Sequence, residues 1–476
     1  MRYVLPFLIL SPLLVRVSSG MCGDAYCQYN MDIPCPHAGF CHGSHVPCNC
    51  TEAGADPNAC AECSVPSSVR VVKVVRAADL QASFEVTPPP GEVGWLGADA
   101  DATLRVAGPS GPLSRVLWIF SDTLMATLDR ETMGRALPFT MPHNTVGLVE
   151  CATTPCAAGA RPSFFWRTAS TTNKPAAAGG SGGVNIVSFF ERDGAPTSSY
   201  LWPIMGVSDG PGGGEHALIL ACESGLVPLA CSSIVAIVVT DAGKLSPLDW
   251  SYTTHVLPWT PSDNASAGWS CCSAISIDPQ NASMVYLVGV ARGTSAIGRA
   301  ALSDLLIHHW GSVEYWGGSQ HGWSADSAVL EKSNLGLTTE TTVNYNAALS
   351  VWYSFRVVGG PWDPTGRPSG LVVYFADTIT ANVWEKQDGF FPIPTPWSNG
   401  SYVCYAAKSH ESYADNAATH FGSGTAPALR STVVMSWVCN EADGQFSLLF
   451  GPQTFAPSTR AYWPELMRIT LERTLY

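Results

Sequence analysis

Three acidic residues of this chain stand where an extended apolar segment meets a turn. The run Leu117-Trp118-Ile119-Phe120-Ser121-Asp122-Thr123 is a strongly apolar strand that ends in an aspartate. Asp99 lies in Gly94-Trp95-Leu96-Gly97-Ala98-Asp99-Ala100-Asp101, just before another strand, and Glu340 lies in Thr338-Thr339-Glu340-Thr341-Thr342-Val343-Asn344-Tyr345-Asn346. A strand end is rigid and open to solvent, and a carboxyl there sits half in an apolar wall, which tunes it as proton donor, acceptor or nucleophile. Two carboxyls flanking a glycosidic bond are the minimum for sugar hydrolysis: one protonates the leaving oxygen, and the other attacks the sugar or activates water. Asp99, Asp122 and Glu340 are therefore the candidate catalytic residues. The competing reading is a turn cap, an ordinary use of an aspartate at a strand end. Asp101 competes with Asp99 for the first position.

Candidate binding residues lie near these acids. Met141-Pro142-His143-Asn144-Thr145-Val146 puts His143 and Asn144 in a loop, where they could hydrogen-bond sugar hydroxyls or hold a carboxylate; a buried, satisfied turn explains them as well. In Tyr405-Ala406-Ala407-Lys408-Ser409-His410-Glu411-Ser412, Lys408 and His410 share one face of an extended segment and could bring positive potential to a central site. The rival is a solvated strand end. Trp95 is a candidate to stack on a sugar ring, and Trp118, Trp202, Trp269, Trp352, Trp362 and Trp397 also lie near these stretches, although core packing is the commoner use of a tryptophan. Gly210–Gly214 lacks the lysine and helix of a phosphate loop.

The elements that must position these residues are strands. Apolar runs rich in β-branched and aromatic residues recur at Val116–Ser121, Val146–Glu150, Val184–Phe190, Ala217–Cys222, Ile234–Thr240, Met284–Val290, Thr341–Tyr345, Leu349–Phe355, Leu371–Ala376, Tyr402–Ala407, Thr432–Val438 and Met467–Leu471, with turn formers between them. Arg299–His308 is the one candidate helix. Thr87-Pro88-Pro89-Pro90-Gly91 is an early turn or linker, and Pro175 to Gly183 is a small-residue loop. The fold class is all-β. Roughly 390 residues of short strands exceed one sandwich. A β-propeller extends a β-fold without exposed edges, and at roughly 70–80 residues per blade the length gives a five-bladed propeller. Two tandem sandwiches are the alternative, which no clear mid-chain linker supports.

Residues 1–20 read as a signal peptide: Met1-Arg2, an apolar run from Val4 to Val15, then Ser18-Ser19-Gly20. The apolar run is too short for a membrane span, so the protein is expected to be secreted or extracellular. Half of the 16 cysteines, Cys22, Cys27, Cys35, Cys41, Cys48, Cys50, Cys60 and Cys63, crowd residues 21–66, a small disulfide-rich module ahead of the propeller at 67–476. His37, His42 and His45 make zinc the rival there, but only Cys60-Ala61-Glu62-Cys63 has knuckle form, and no metal or other cofactor is expected. Later cysteines pair as Cys151 with Cys156, Cys222 with Cys231 and Cys404 with Cys439; the vicinal Cys271 and Cys272 are harder to place. Asn49, Asn264, Asn281 and Asn399 head glycosylation triplets. The net charge, 25 − 38 = −13, disfavours nucleic acid and anionic membrane surfaces as partners. Only 13% of residues are charged while Trp and Tyr are plentiful, which suits a neutral ligand such as a polysaccharide or glycan.

With these residues in hand, the chain resembles the secreted five-bladed propellers of the arabinanase-like glycoside hydrolase superfamily. It is most similar to a former unknown-function family that includes endo-D-arabinanases. The resemblance rests on Gly94–Asp99, Leu117–Thr123, Met141–Val146 and the late runs Tyr405–His410 and Val434–Asn440, in order along residues 90–475. Ser121 stands where the family usually has glycine, and Glu411 follows His410 directly where a proline usually intervenes. The resemblance implies that Asp99 and Asp122 match the acidic pair of the first blade, with Asp122 on its inner strand; Glu340 matches more loosely, and the cysteine-rich module is not covered. The expected function is a glycoside hydrolase, endo-arabinanase-like, with Asp122 as nucleophile or base and Asp99 or Glu340 as general acid. The alternative is a non-catalytic carbohydrate-binding or adhesion propeller, and a metal-dependent esterase or phosphodiesterase is a weaker third.

Overall fold

The computed structural model describes residues 69–474, apart from 169–185, 226–230, 260–268, 336–339, 362–367, 394–401, 422–427, 442–460 and isolated positions between. Before residue 69 it describes one pair of two-residue antiparallel strands, Gly39–Phe40 with Pro47–Cys48. The chain divides into two compact units, residues 1–68 and 69–476. The signal peptide, most of the cysteine-rich module, Asn49, Asn264, Asn399, Trp362, Trp397 and the Pro175–Gly183 loop lie outside the described residues. Among the described residues no helix is long and apolar enough to cross a membrane.

Among the described residues, five antiparallel sheets of four or more strands follow one another along the second unit. Sheet I holds Ala102–Gly108, Gly111–Phe120, Thr145–Cys151 and Ser163–Phe165. Sheet II holds Ser199–Ser208, Ala217–Gly225, Cys231–Val239 and Tyr252–Val256. Sheet III runs Trp269–Asp278, Asn281–Ala291, Thr294–Ala301, Glu314–Trp316 and Trp323–Ser324. Sheet IV runs Asn344–Asn346, Val351–Val358, Gly370–Ala376 and Glu385–Pro392. Sheet V begins with Tyr402–Ser409, Ala428–Glu441 and Glu465–Thr474 and is completed by Val69–Arg76, from the other end of the unit. An additional sheet of Gly94–Ala98, Thr123–Asp129 and Gly134–Thr140 branches off sheet I.

The mid-strands are buried on both faces, because each sheet packs between two others. Their alternate side chains serve different neighbours, as the period of two requires. Leu117 and Ile119 join a core with Leu201, Ile219 and Ile237 of sheet II. Val116, Trp118 and Phe120, on the other face, join Val434 and Leu466 of sheet V. Leu371, Val373 and Phe375 pack on Val433, Met435 and Trp437, while Val372 and Tyr374 pack toward Leu287 and Ile297 of sheet III, a core shared with Leu218 and Leu220 of sheet II. These cores link I to II, II to III and IV, IV to V, and V back to I. That cyclic arrangement is a β-propeller, all-β as expected. The strand Val69–Arg76 closes the ring by main-chain pairing with Glu465–Thr474. Its outward charges Arg70 and Arg76 bond Glu472 and Glu465.

The expected strands all overlap observed ones, but three local readings change. Within Val184–Phe190, Ile186–Val187 is a two-residue strand and Ser188–Phe190 leave it through a bend. The candidate helix at 299–308 is the end of the strand Thr294–Ala301 followed by a short helix, Leu302–Leu306, because main-chain pairing with Met284–Ala291 claims the first residues. The strand leading to Asp122 is the second of sheet I; Ala102–Gly108 lies at that sheet's inner edge, bridged to Gly214 of sheet II. The disulfides Cys151–Cys156, Cys222–Cys231 and Cys404–Cys439 pair as expected, and Cys271 is joined to Cys272.

Candidate functional site

Asp99 and Asp122 are backbone neighbours. The Asp99 amide donates to the Asp122 carbonyl at 3.2 Å, and the Ser121 amide donates to the Asp99 carbonyl at 3.0 Å. The turn that carries Asp99 needs Gly97: it has φ +143°, and a Cβ there would lie 2.1 Å from the Tyr462 carbonyl oxygen. Ala100 adopts φ 51°, so Asp99 and Asp101 flank a left-handed residue. Ser121 donates its hydroxyl to the Pro203 carbonyl at 2.9 Å and ties sheet I to the bulge in the inner strand of sheet II. Glu340 enters from elsewhere on the ring, just ahead of the inner strand of sheet IV.

The three carboxyls sense one another. Burial, then the charges of Asp122 and Glu340, hold the Asp99 carboxyl well above the usual carboxylate range, against two hydroxyls that donate to its Oδ2, Tyr405 at 3.0 Å and Tyr462 at 3.1 Å. Its Oδ1 is buried without a hydrogen-bond partner. Burial also raises Glu340; the ammonium of Lys408 opposes the shift and Asp122 adds to it. Glu340 accepts no hydrogen bond from the described residues. The Asp122 side chain is 19% exposed, and its Oδ1 receives two donors, His143 Nδ1 at 2.8 Å and Trp202 Nε1 at 2.8 Å. Oδ2 is left for another partner. His143 stacks on Tyr200, 3.6 Å between ring centroids, and Tyr200 meets Trp202 edge-on, so one aromatic wall from sheet II stands beside Asp122.

The other expected contact residues lie inside the protein. Asn144 is fully buried: its amide nitrogen donates to the carbonyls of Phe190 and Leu201, and its oxygen accepts from the Phe190 amide at 2.6 Å. It ties a loop, which is the satisfied-turn reading. Trp95 is 3% exposed and stacks on Phe164, also against Phe120 and Trp463, as core. Lys408 and His410 are fully buried. The Lys408 ammonium donates to the carbonyls of Ala100, at 3.3 Å, and Ile204. His410 bonds the hydroxyls of Thr103, at 3.2 Å, and Ser436, at 2.8 Å, and burial lowers its pKa to about 3, leaving it neutral. Asp101 lies beside it, Oδ2 at 3.6 Å from His410 Nε2, with burial raising its pKa to about 7. The two Asp101 oxygens lack a hydrogen bond of good geometry, although the Ser436 hydroxyl is near enough to restrain the rise. Of the expected binding set, His143 reaches the acids directly.

Tyr405, Tyr462, Tyr200, Thr342 and Ser436 belong to the site and were not singled out by sequence reasoning. Tyr405 and Lys408 differ by three positions, which in a regular strand means opposite faces. A bulge, with Ala406 at φ 54°, brings both toward the same centre. Among the described residues no cluster of His, Cys, Asp and Glu could hold a metal ion. Asn281 is exposed at a strand start, with its carbonyl oxygen accepting from Ser283.

No family model matches the sequence, and no curated protein matches it. Among solved structures the chain is similar to a provisionally assigned hydrolase from Bacteroides ovatus ATCC 8483, with 13% identity, 83% of this chain and 90% of that chain covered, and a TM-score of 0.51. It also aligns with a GH43 endo-arabinanase from Bacillus licheniformis (9% identity, 73% and 94% covered, TM-score 0.32) and an exo-1,5-α-L-arabinanase from a bovine ruminal metagenomic library (8%, 80% and 98%, 0.30). At these identities the likeness is one of fold.

Proposed function

We propose that this chain is a secreted carbohydrate-active protein on a five-bladed β-propeller, and that it is a glycoside hydrolase cleaving a polysaccharide, arabinan-like, with paired carboxylates. The observation that carries the reading is the convergence of Asp99, Asp122 and Glu340, with two of them pushed toward the protonated state and one held by two donors on a single oxygen. Sugar hydrolysis needs one carboxylic acid and one carboxylate. Asp122, with Oδ1 fixed, is the nucleophile or base and acts through Oδ2. Glu340 comes from a different wall and accepts no hydrogen bond from the described residues, which supports it as the general acid. Asp99, whose oxygens are buried or taken by tyrosines, is the runner-up and otherwise keeps a neutral carboxyl beside Asp122. The disulfides of the ring support an oxidising, extracellular setting, with residues 1–20 as signal and 21–66 as a disulfide module.

The test is release of reducing ends from a polysaccharide panel that includes arabinans. The wild type is expected to cleave at least one, and Asp122→Asn to lose that activity while keeping its fold. Equal activity of Asp122→Asn ends the assignment. The aromatic wall of His143, Tyr200 and Trp202 beside Asp122 equally suits a second reading, a glycan-binding propeller without catalysis. Binding of a panel member by calorimetry, with no cleavage, would select it.

A further inference from the structure

Lys408, Ser409 and His410 occupy three consecutive positions and touch four of the five sheets. From the inner strand of sheet V, the Lys408 ammonium reaches the Ala100 carbonyl at the mouth of sheet I and the Ile204 carbonyl of sheet II. The Ser409 amide donates to the Thr342 hydroxyl at 2.8 Å, its own hydroxyl lies 2.8 Å from the Thr342 Oγ1, and it accepts from Asn344 Nδ2 at 2.6 Å, all in sheet IV or the approach to it. His410 bonds Thr103 of sheet I and Ser436 of sheet V. Four of these partners lie within a few residues of a site carboxyl: Ala100 stands between Asp99 and Asp101, Thr103 is two residues past Asp101, and Thr342 and Asn344 are two and four residues past Glu340.

We infer that Lys408 is a positioning residue for the reaction proposed above, a buried, built-in cation that fixes the Asp99–Asp101 turn through the Ala100 carbonyl while the adjoining Ser409 ties down the segment after Glu340 through Thr342. This rests on the hydrolase reading. Charged groups face Lys408 from several elements: Glu340, Asp101 and Asp99, each favouring its protonated form, while burial works against it and neutral His410 lies alongside. The reciprocal effect is a lowering of Glu340 and Asp101 by the ammonium. A solvated strand-end lysine would do none of this.

Carboxyl-¹³C NMR titration of the full chain tests the inference without relying on catalysis, with the Glu340 and Asp101 signals assigned by Glu340→Gln and Asp101→Asn. In Lys408→Met both groups are expected to titrate higher than in wild type, Glu340 by about 1 unit or more, the usual effect of losing an adjacent opposite charge. Unchanged titrations overturn the inference, even if the wild type cleaves arabinan. Should Lys408→Met not fold, Thr342→Val removes the hydroxyl that holds Ser409 at nearly constant shape. It is expected to move Glu340 and leave Asp101 in place, and an unmoved Glu340 overturns the inference. Shifted carboxyls together with a wild type inert on the whole polysaccharide panel keep the buried-cation arrangement and remove the hydrolase reading.

Discussion

Asp101 offers the sharpest stability test, because its burial is complete and that burial raises its pKa far above the usual carboxylate range. Its carboxyl is raised from 3.8 to about 7 in the folded chain. A group that binds its proton more tightly when folded stabilises the fold fully below the unfolded pKa, and this contribution is lost as the pH climbs toward the folded pKa. The loss therefore runs from about pH 4 to about pH 7, and above that range it is constant. Its full size is about 3 units at 1.36 kcal/mol each, or about 4 kcal/mol, of which about 2 to 3 kcal/mol falls between pH 5 and pH 8. Asp101→Asn keeps the shape and cannot ionise, so it does not lose that stability. Urea unfolding at pH 5, 6.5 and 8 is the assay. The asparagine variant should gain on the wild type by about 2 to 3 kcal/mol across the range. A difference between the two proteins that does not change with pH refutes the placement of Asp101 as a buried, raised carboxyl. A variant that becomes relatively weaker as pH rises means that Asp101 is instead a stabilised anion paired to Lys408.

Glu340→Gln and Asp99→Asn separate the two candidate acids: loss of the true general acid is expected to slow polysaccharide cleavage by roughly 10²–10⁴-fold, yet to spare an aryl glycoside whose leaving group needs little protonation. Steady-state rates on both substrates decide it, and a variant that loses both substrates equally is not the acid. Ser121→Gly, the residue usual in the resembling family, should cost about 2 kcal/mol in urea, from the lost bond to the Pro203 carbonyl and the added backbone freedom, and unchanged stability would show that this tie between sheets I and II contributes nothing.

The ring of sheets was legible because its strands are apolar on both faces. Leu371-Val372-Val373-Tyr374-Phe375-Ala376 has no polar side, and only a sheet sandwiched between two others buries such a segment whole. Strands at the margins were less legible. Val69–Arg76 spaces two arginines and a lysine among its valines, and charge suits an edge strand, but its partner is nearly four hundred residues away and nothing local announces that pairing. Ser199–Ser208 hides behind Pro203, which a central strand rarely holds; here it sits at a bulge on the inner edge, where no donor is needed on one side. Arg299 and its neighbours show helical spacing because a short helix does follow, but pairing with a long neighbouring strand overrides local preference for the first three residues.

For the site, what could be read was where the acids stand, and what could not be read was what surrounds them. Asp99 and Asp122 are found by their place at apolar strand ends. Their support comes from irregular backbone: the bulge at Ala406 that turns Tyr405 inward, the left-handed Ala100, and the close passage of Tyr462 over Gly97. None of these has a signature in residue type, since alanine does not favour φ above zero and is held there by its neighbours. Lys408 and His410 show the same limit from the other side. A lysine and a histidine near a strand end are ordinarily solvated, and burying an ammonium is tolerable only when carbonyls and carboxyls from several chain segments meet it. Those partners come from positions 99–103, 204, 340–344 and 434–436, so the burial belongs to the closed ring and to no segment of it. Closing the ring turns two plausible ligand contacts into buried supports near the three acids, and leaves His143, with the wall formed by Tyr200 and Trp202, beside the partly exposed Asp122.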